Sequence, residues 1–301
     1  MSLLTKWLES MHVDIKITNK CSRKRNVGST CSFCLAACNQ GAISYSRQSI
    51  VIDTDQCTSC GDCVIACPVS GIEGLAFTRE FENQSLIYNP AYSPTVKELL
   101  IYKKRGLLAV QIDTTPINQQ WETTLQQTNR ILIDLKLTPI ELEQKANKEI
   151  LSRRALFTSV QSGGKKLAKS MAPASWKMEA NEWNLANYYP ETQFYRVELN
   201  KDKCTLCKAC FTFCSQEVFH LQDTFLQIES DKCVNCSDCT DICLEDAIQI
   251  QTEIKERSEL HEPIHQKKCQ DCGQSFHSFQ HETEKCPICV NRDPEWLSPY
   301  Q

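Results

Sequence analysis

Two hydrophobic spacings alternate along this chain. Residues 2–11 place Leu3, Leu4, Trp7, Leu8 and Met11 on one helical face, which predicts a short amphipathic helix packed on its own domain. Val13 to Ile17 alternates apolar and polar positions and predicts a half-buried strand. ISYSRQSIVID (43–53) and VFHLQDTFLQIE (218–229) each read as strand, polar turn, strand. Between them, Pro94 opens a helix that runs to about Lys104, and Gly106 closes it. LLAVQI (107–112) reads as a buried strand. Trp121, Leu125, Ile131, Leu132 and Leu135 then recur at helical spacing. Residues 251–265 are polar with both signs of charge and read as a linker.

The two hairpin patterns belong to an internal repeat. Adding 176 to Cys31, Cys34, Cys38, Cys57, Cys60, Cys63 and Cys67 gives Cys207, Cys210, Cys214, Cys233, Cys236, Cys239 and Cys243 without a gap. Apolar positions keep the same offset: Ile43 with Phe219, Ile50 with Leu226, Ile52 with Ile228, Ile72 with Ile248. A period shared by cysteines and core positions predicts one small fold used twice. Cys204 breaks the pattern, because its counterpart is Gly28. Cys21 is the nearest unused thiol. Asn19-Lys20-Cys21 matches the prefixes Asp55-Gln56-Cys57, Asp202-Lys203-Cys204 and Asp231-Lys232-Cys233. Cys21 is therefore the expected lead cysteine, followed by seven inserted residues. Ser22, Arg23, Lys24 and Arg25 in this loop bring positive charge beside the site.

The runs Cys204-x2-Cys207-x2-Cys210-x3-Cys214 and Cys233-x2-Cys236-x2-Cys239-x3-Cys243 resemble the bacterial two-cluster ferredoxins, which hold two [4Fe–4S] clusters. In that family three thiolates of one run and the fourth of the other hold each cluster. The resemblance implies four clusters here: Cys204, Cys207, Cys210 with Cys243; Cys233, Cys236, Cys239 with Cys214; Cys57, Cys60, Cys63 with Cys38; and Cys21, Cys31, Cys34 with Cys67. Without Cys21 the last would be a three-cysteine site holding [3Fe–4S] or losing iron readily. The family's proline after the fourth cysteine survives only as Cys67-Pro68; Asn39, Ser215 and Leu244 stand at the other three places. In the tail, Cys269-x2-Cys272 and Cys286-x2-Cys289 resemble a zinc ribbon, which implies one structural Zn²⁺ in four thiolates, with iron as the alternative. His277 and His281 lie in the ribbon loop and read as surface residues.

The expected fold class is α+β, with two dicluster ferredoxin modules flanking an α/β insert. The divisions are an N-terminal helix and strand (1–18), module 1 (19–78), the insert (79–144), a basic helical linker (145–195), module 2 (196–250), a linker (251–265) and the ribbon-like tail (266–301). Sixteen cluster ligands and four ribbon ligands account for all 20 cysteines and leave none as a nucleophile.

Composition narrows the function. Repeated metal-type spacing argues against disulfides, and the charged N-terminus is not a secretory signal. No apolar run is long enough for a membrane span, so a cytoplasmic setting is expected. The net charge is −4, but residues 145–177 carry eight Lys or Arg against one Glu. This stretch predicts a solvated basic helix, with an acidic redox partner as the sharper reading and nucleic acid disfavoured. The insert has no Gly-rich phosphate or dinucleotide motif, and residues 13–219 contain no histidine, so no catalytic site is expected. Clusters closed by four thiolates exchange electrons and offer substrate no open position. The expectation is an electron-transfer protein or subunit relaying single electrons to or from a catalytic oxidoreductase. The alternatives are an accessory factor in maturation of an iron–sulfur or molybdenum enzyme, and a redox or oxygen sensor built on a labile N-terminal cluster.

Overall fold

A computed structural model describes residues 15–46, 49–75, 79–113, 115–145 and 178–290. The expected helix over 2–11 and the basic stretch 146–177 lie outside these residues. In chain order the elements are β1 (Lys16–Ile17), α1 (Ser22–Arg25), α2 (Phe33–Ala36), β2 (Ile43–Ser46), β3 (Ser49–Ile52), α3 (Asp62–Ala66), β4 (Ile72–Glu73), β5 (Phe81–Glu82), β6 (Ser85–Ile87), α4 (Val96–Lys104), β7 (Ala109–Ile112), α5 (Gln119–Asp134) and β8 (Glu141–Gln144). There follow β9 (Thr192–Leu199), α6 (Ala209–Phe213), β10 (Phe219–Leu221), β11 (Phe225–Glu229), α7 (Asp238–Ile242), β12 (Ile248–Glu256), β13 (Glu259–Pro263), β14 (His265–Lys268), β15 (Ser275–Ser278) and α8 (Pro287–Val290). The chain divides into two compact units. The first is 1–21 with 32–188, and the second is 22–31 with 189–301.

The first unit contains the β2–β3 hairpin and a short antiparallel pair, β1–β4. Its remaining part is a four-stranded sheet in the order β5-β6-β7-β8. The β6-β7-β8 pairs are parallel, and β5 is antiparallel at the edge. Parallel neighbours need crossovers, which α4 and α5 supply, and the two helices pack on each other. Both starts are capped: Thr95 Oγ1 accepts from the Glu98 amide at 3.1 Å, and Asn118 Oδ1 from the Trp121 amide at 2.9 Å. Gly106 follows α4 at φ +108°, open to glycine and closed to most side chains. Leu99, Leu100, Ile101, Leu107, Val110, Trp121 and Leu132 form a closed core.

This insert is richer in strands than its sequence pattern suggests, since β5, β6 and β8 accompany the one expected strand. Residues 178–188, expected inside a helical linker, belong to the first unit: Trp183 is buried and packs edge-on against Tyr102 at 5.7 Å. Two turns of 3-10 helix (Ala180–Glu182 and Leu185–Asn187) are the helical content here, and β9 starts at Thr192.

In the second unit β9 pairs antiparallel with β12, and β10-β11-β13 form a three-stranded sheet. The expected 251–265 linker is therefore strand: β12 runs on to Glu256, and β13 adds to β11. Val197, Phe219, Leu226, Ile228, Ile248 and Ile264 make the core. The hairpins of the two units share one register shifted by 176. Ile43 faces Ile52 and Tyr45 faces Ile50, as Phe219 faces Ile228 and Leu221 faces Leu226. The flanking pairs also correspond, Ile17 with Ile72 and Leu199 with Ile248. Among the described residues no helix is long and apolar enough to cross a membrane.

Candidate iron–sulfur and metal sites

Each hairpin lies beside cysteine-bearing loops whose backbone is held in an uncommon conformation. Ser59, Leu206 and Asn235 stand just before a second cysteine, and Gly61, Lys208 and Ser237 just after it; all six have φ between +52° and +79°. Left-handed backbone costs a non-glycine residue about 1–2 kcal/mol, so five such residues at matching places indicate a loop shape that something must stabilise. The Cys31–Cys34 loop differs, with Ser32 at φ −136°.

Several of the expected ligand thiols lie close enough to interact. Cys210 interacts with Cys204, Cys207 and Cys243, and burial with this mutual repulsion pushes its pKa up to about 12. Burial and the Cys233, Cys236, Cys214 and Cys210 thiols push Cys239 well above its ordinary value. Cys63, raised to about 12 by burial, interacts with Cys60, Cys57 and Cys38, and also with Cys34. Of the four thiols expected at the remaining site, Cys67 interacts with Cys21, while Cys34 interacts with Cys63. Cys31 ends the 22–31 segment, and its carbonyl accepts from Arg23 Nε at 2.5 Å. Thiols raised by burial and by one another are poor thiolates alone; bound iron relieves both penalties.

Three further features suit a cluster. Cys204, Cys207, Cys210 and Cys243 line a cavity of about 130 Å³ with apolar walls from Phe219, Leu226 and Ile248. The Gly71 amide donates to Cys67 Sγ at 3.1 Å, and its counterpart Ala247 donates to Cys243 Sγ at 3.3 Å. Amides aimed at sulfur stabilise negative charge there and raise a cluster's potential. Cys21 packs directly on Gly71, where a Cβ would lie 3.0 Å from Cys21 Cα.

The tail cysteines converge too. The sulfurs of Cys269, Cys272, Cys286 and Cys289 all lie within 4.8 Å of one another. The β14–β15 hairpin carries the first pair, and α8 and the residue before it carry the second. The Cys286 amide donates to Cys269 Sγ at 3.3 Å and helps draw its pKa down to about 6, favouring the thiolate a metal needs. His281 is exposed and packs edge-on against His265, its ring centroid 4.7 Å away, and the converging group consists of the four cysteines alone.

Sequence reasoning did not single out Arg79. It is buried at the start of the insert, bonded to Glu98 and Asp62 at 2.8 and 2.6 Å, and lies over the Tyr92 ring at 3.9 Å. Lys97 also reaches the site, donating to the Cys67 carbonyl at 3.3 Å.

The family described as a 4Fe-4S dicluster domain matches residues 29–71. No curated protein matches the chain. The match and the cysteine sets support a ferredoxin-like iron–sulfur protein with an electron-transfer role.

Proposed function

We propose that the chain relays single electrons through four [4Fe–4S] clusters, two in each repeat, to or from a separate catalytic oxidoreductase. The observation that supports this reading is the Cys210 site, where Cys204 and Cys207 of one run and Cys243 of the other interact with the Cys210 thiol and line one cavity with it. Sixteen cysteines serve as cluster ligands on this reading. The 20-cysteine total then leaves Cys269, Cys272, Cys286 and Cys289 for one structural Zn²⁺, a closed four-sulfur site that supplies the folding energy of a short hairpin.

The clusters supply one-electron chemistry when bound. The protein's own residues hold the sulfurs, aim amides at them and keep water away with Phe219, Leu226 and Ile248. Cys207 is exposed and Leu244, beside Cys243, is 95% exposed, which favours the cluster at Cys204, Cys207, Cys210 and Cys243 as the point of electron exchange with a partner. The test is a reductive titration of anaerobically purified protein followed by mixing with candidate acceptors. Reversible one-electron steps with electron delivery support the relay. Irreversible loss of iron on the first oxidation would overturn it.

A second reading is a redox sensor acting through the cluster at Cys21, Cys31, Cys34 and Cys67. Its support is the Cys31–Cys34 loop, which lacks the left-handed residues of the other three loops.

A further inference from the structure

We propose that Arg79 and Arg25 are positioning residues that each clamp an aspartate inside a ligand loop, and that each clamp sets the reduction potential of the cluster its loop holds. The inference rests on the reading of these thiols as cluster ligands.

The aspartates are repeat equivalents. Asp62 lies between Cys60 and Cys63, and Asp238 between Cys236 and Cys239, 176 residues on. Both open a short helix, and their side chains are 13% and 0% exposed. Each therefore sets a buried carboxylate beside two expected ligands. Reduction adds negative charge to a cluster, so an uncompensated carboxylate there opposes it.

In each unit an arginine compensates. Arg79 Nη2 donates to Asp62 Oδ1 at 2.6 Å, and Nη1 to the Cys60 carbonyl at 2.9 Å. In the second unit Arg25 Nη2 donates to Asp238 Oδ2, and Nη1 to the Phe213 carbonyl at 3.0 Å. Phe213 immediately precedes Cys214, the crossover ligand assigned to the same cluster as Cys236. One prong of each guanidinium thus holds the aspartate and the other holds ligand backbone, a use of the planar fork that lysine cannot copy.

The repeat does not explain the two arginines. Position 255, the counterpart of Arg79, is Lys255, and its ammonium bonds Glu253 at 2.8 Å. Arg25 lies in the seven residues inserted after Cys21, which have no counterpart. Two unrelated places in the chain therefore supply the same group to equivalent aspartates. Just past the insertion the chain is further fastened within the second unit, where the Thr30 amide and hydroxyl both bond Asp241 at 2.8 and 2.9 Å. The other two loops carry Phe33 and Ala209 at the aspartate position, so their clusters serve as internal controls.

The test compares full-length wild type, Arg25→Gln, Asp238→Asn and the double variant, each purified anaerobically and titrated with dithionite under EPR. R25Q lowers one of the four midpoints, D238N raises the same one, and the double variant returns toward wild type. R79Q and D62N repeat the pattern on a different cluster. R25Q also gives up iron to a chelator about tenfold faster or more, as expected when a buried pair loses one partner. Should R25Q lose its cluster outright, retention of that cluster by the double variant supports the same conclusion. Shifts of the same sign in R25Q and D238N, or four unmoved midpoints with full iron, would overturn the clamp. Absence of [4Fe–4S] signals in the wild type would instead sink the ligand reading.

Discussion

Substituting Gly71→Ala probes the placement of Cys21 directly. The added Cβ would stand 3.0 Å from Cys21 Cα, 3.1 Å from its amide nitrogen and 3.2 Å from its Cβ. Two of these are backbone atoms that cannot swing aside, and Cys21 is 7% exposed. The repeat counterpart, Ala247, carries this methyl and still donates its amide to Cys243 Sγ. The local turn therefore accepts alanine, and the obstacle in the first unit is Cys21 itself. Overpacking of this kind costs about 1–3 kcal/mol, which multiplies the population with Cys21 displaced by roughly 5- to 150-fold. The assay is iron retained against a chelator, with EPR to show which cluster is lost. Gly71→Ala should release about a quarter of the iron early, while Ala247→Gly leaves the second repeat's iron in place. Full iron and unchanged release in Gly71→Ala would refute the seating of Cys21 as a ligand beside Cys67.

Other substitutions test the framework around the sites. Glu98→Ala strips the buried Arg79 of one carboxylate and should destabilise the first unit by about 3–5 kcal/mol in urea unfolding, with Glu98→Gln costing less. Trp121→Ala removes a fully buried ring whose Nε1 donates to the Tyr92 carbonyl at 2.7 Å; a loss of about 3–5 kcal/mol should appear in thermal melts. Cys286→Ser should abolish metal binding in the tail and open the β14–β15 hairpin to proteolysis, leaving the cluster absorbance intact.

The repeat was legible because two independent constraints share its period. Cysteine spacing marks the loops, and alternation at Ile43, Ile50 and Ile52 marks the hairpin register that Phe219, Leu226 and Ile228 reproduce. The insert's helices were legible from Trp121, Leu125 and Leu132, which face its core. Its extra strands were not. β5 has two residues, and β8, Glu141–Gln144, is exposed throughout, so neither shows a periodic apolar signal. β13 was hidden for a related reason: it is short and mostly exposed, and its charged residues read as a linker. Arg25 was visible as charge near an expected cluster site, but its partner Asp238 lies 213 positions away and only folding joins them. Arg79 carried no signal beyond its type. The matched aspartates between cysteines were the available clue, since a buried carboxylate requires a cation.

Elemental analysis of anaerobically purified full-length protein, with EPR of the reduced state, measures the metal inventory on which the relay depends. The expected result is about 16 iron atoms and about one zinc per chain, with all the iron in [4Fe–4S] clusters that take up and return one electron each. Iron for two clusters or fewer after reconstitution, with the remaining thiols free to alkylate, would contradict it.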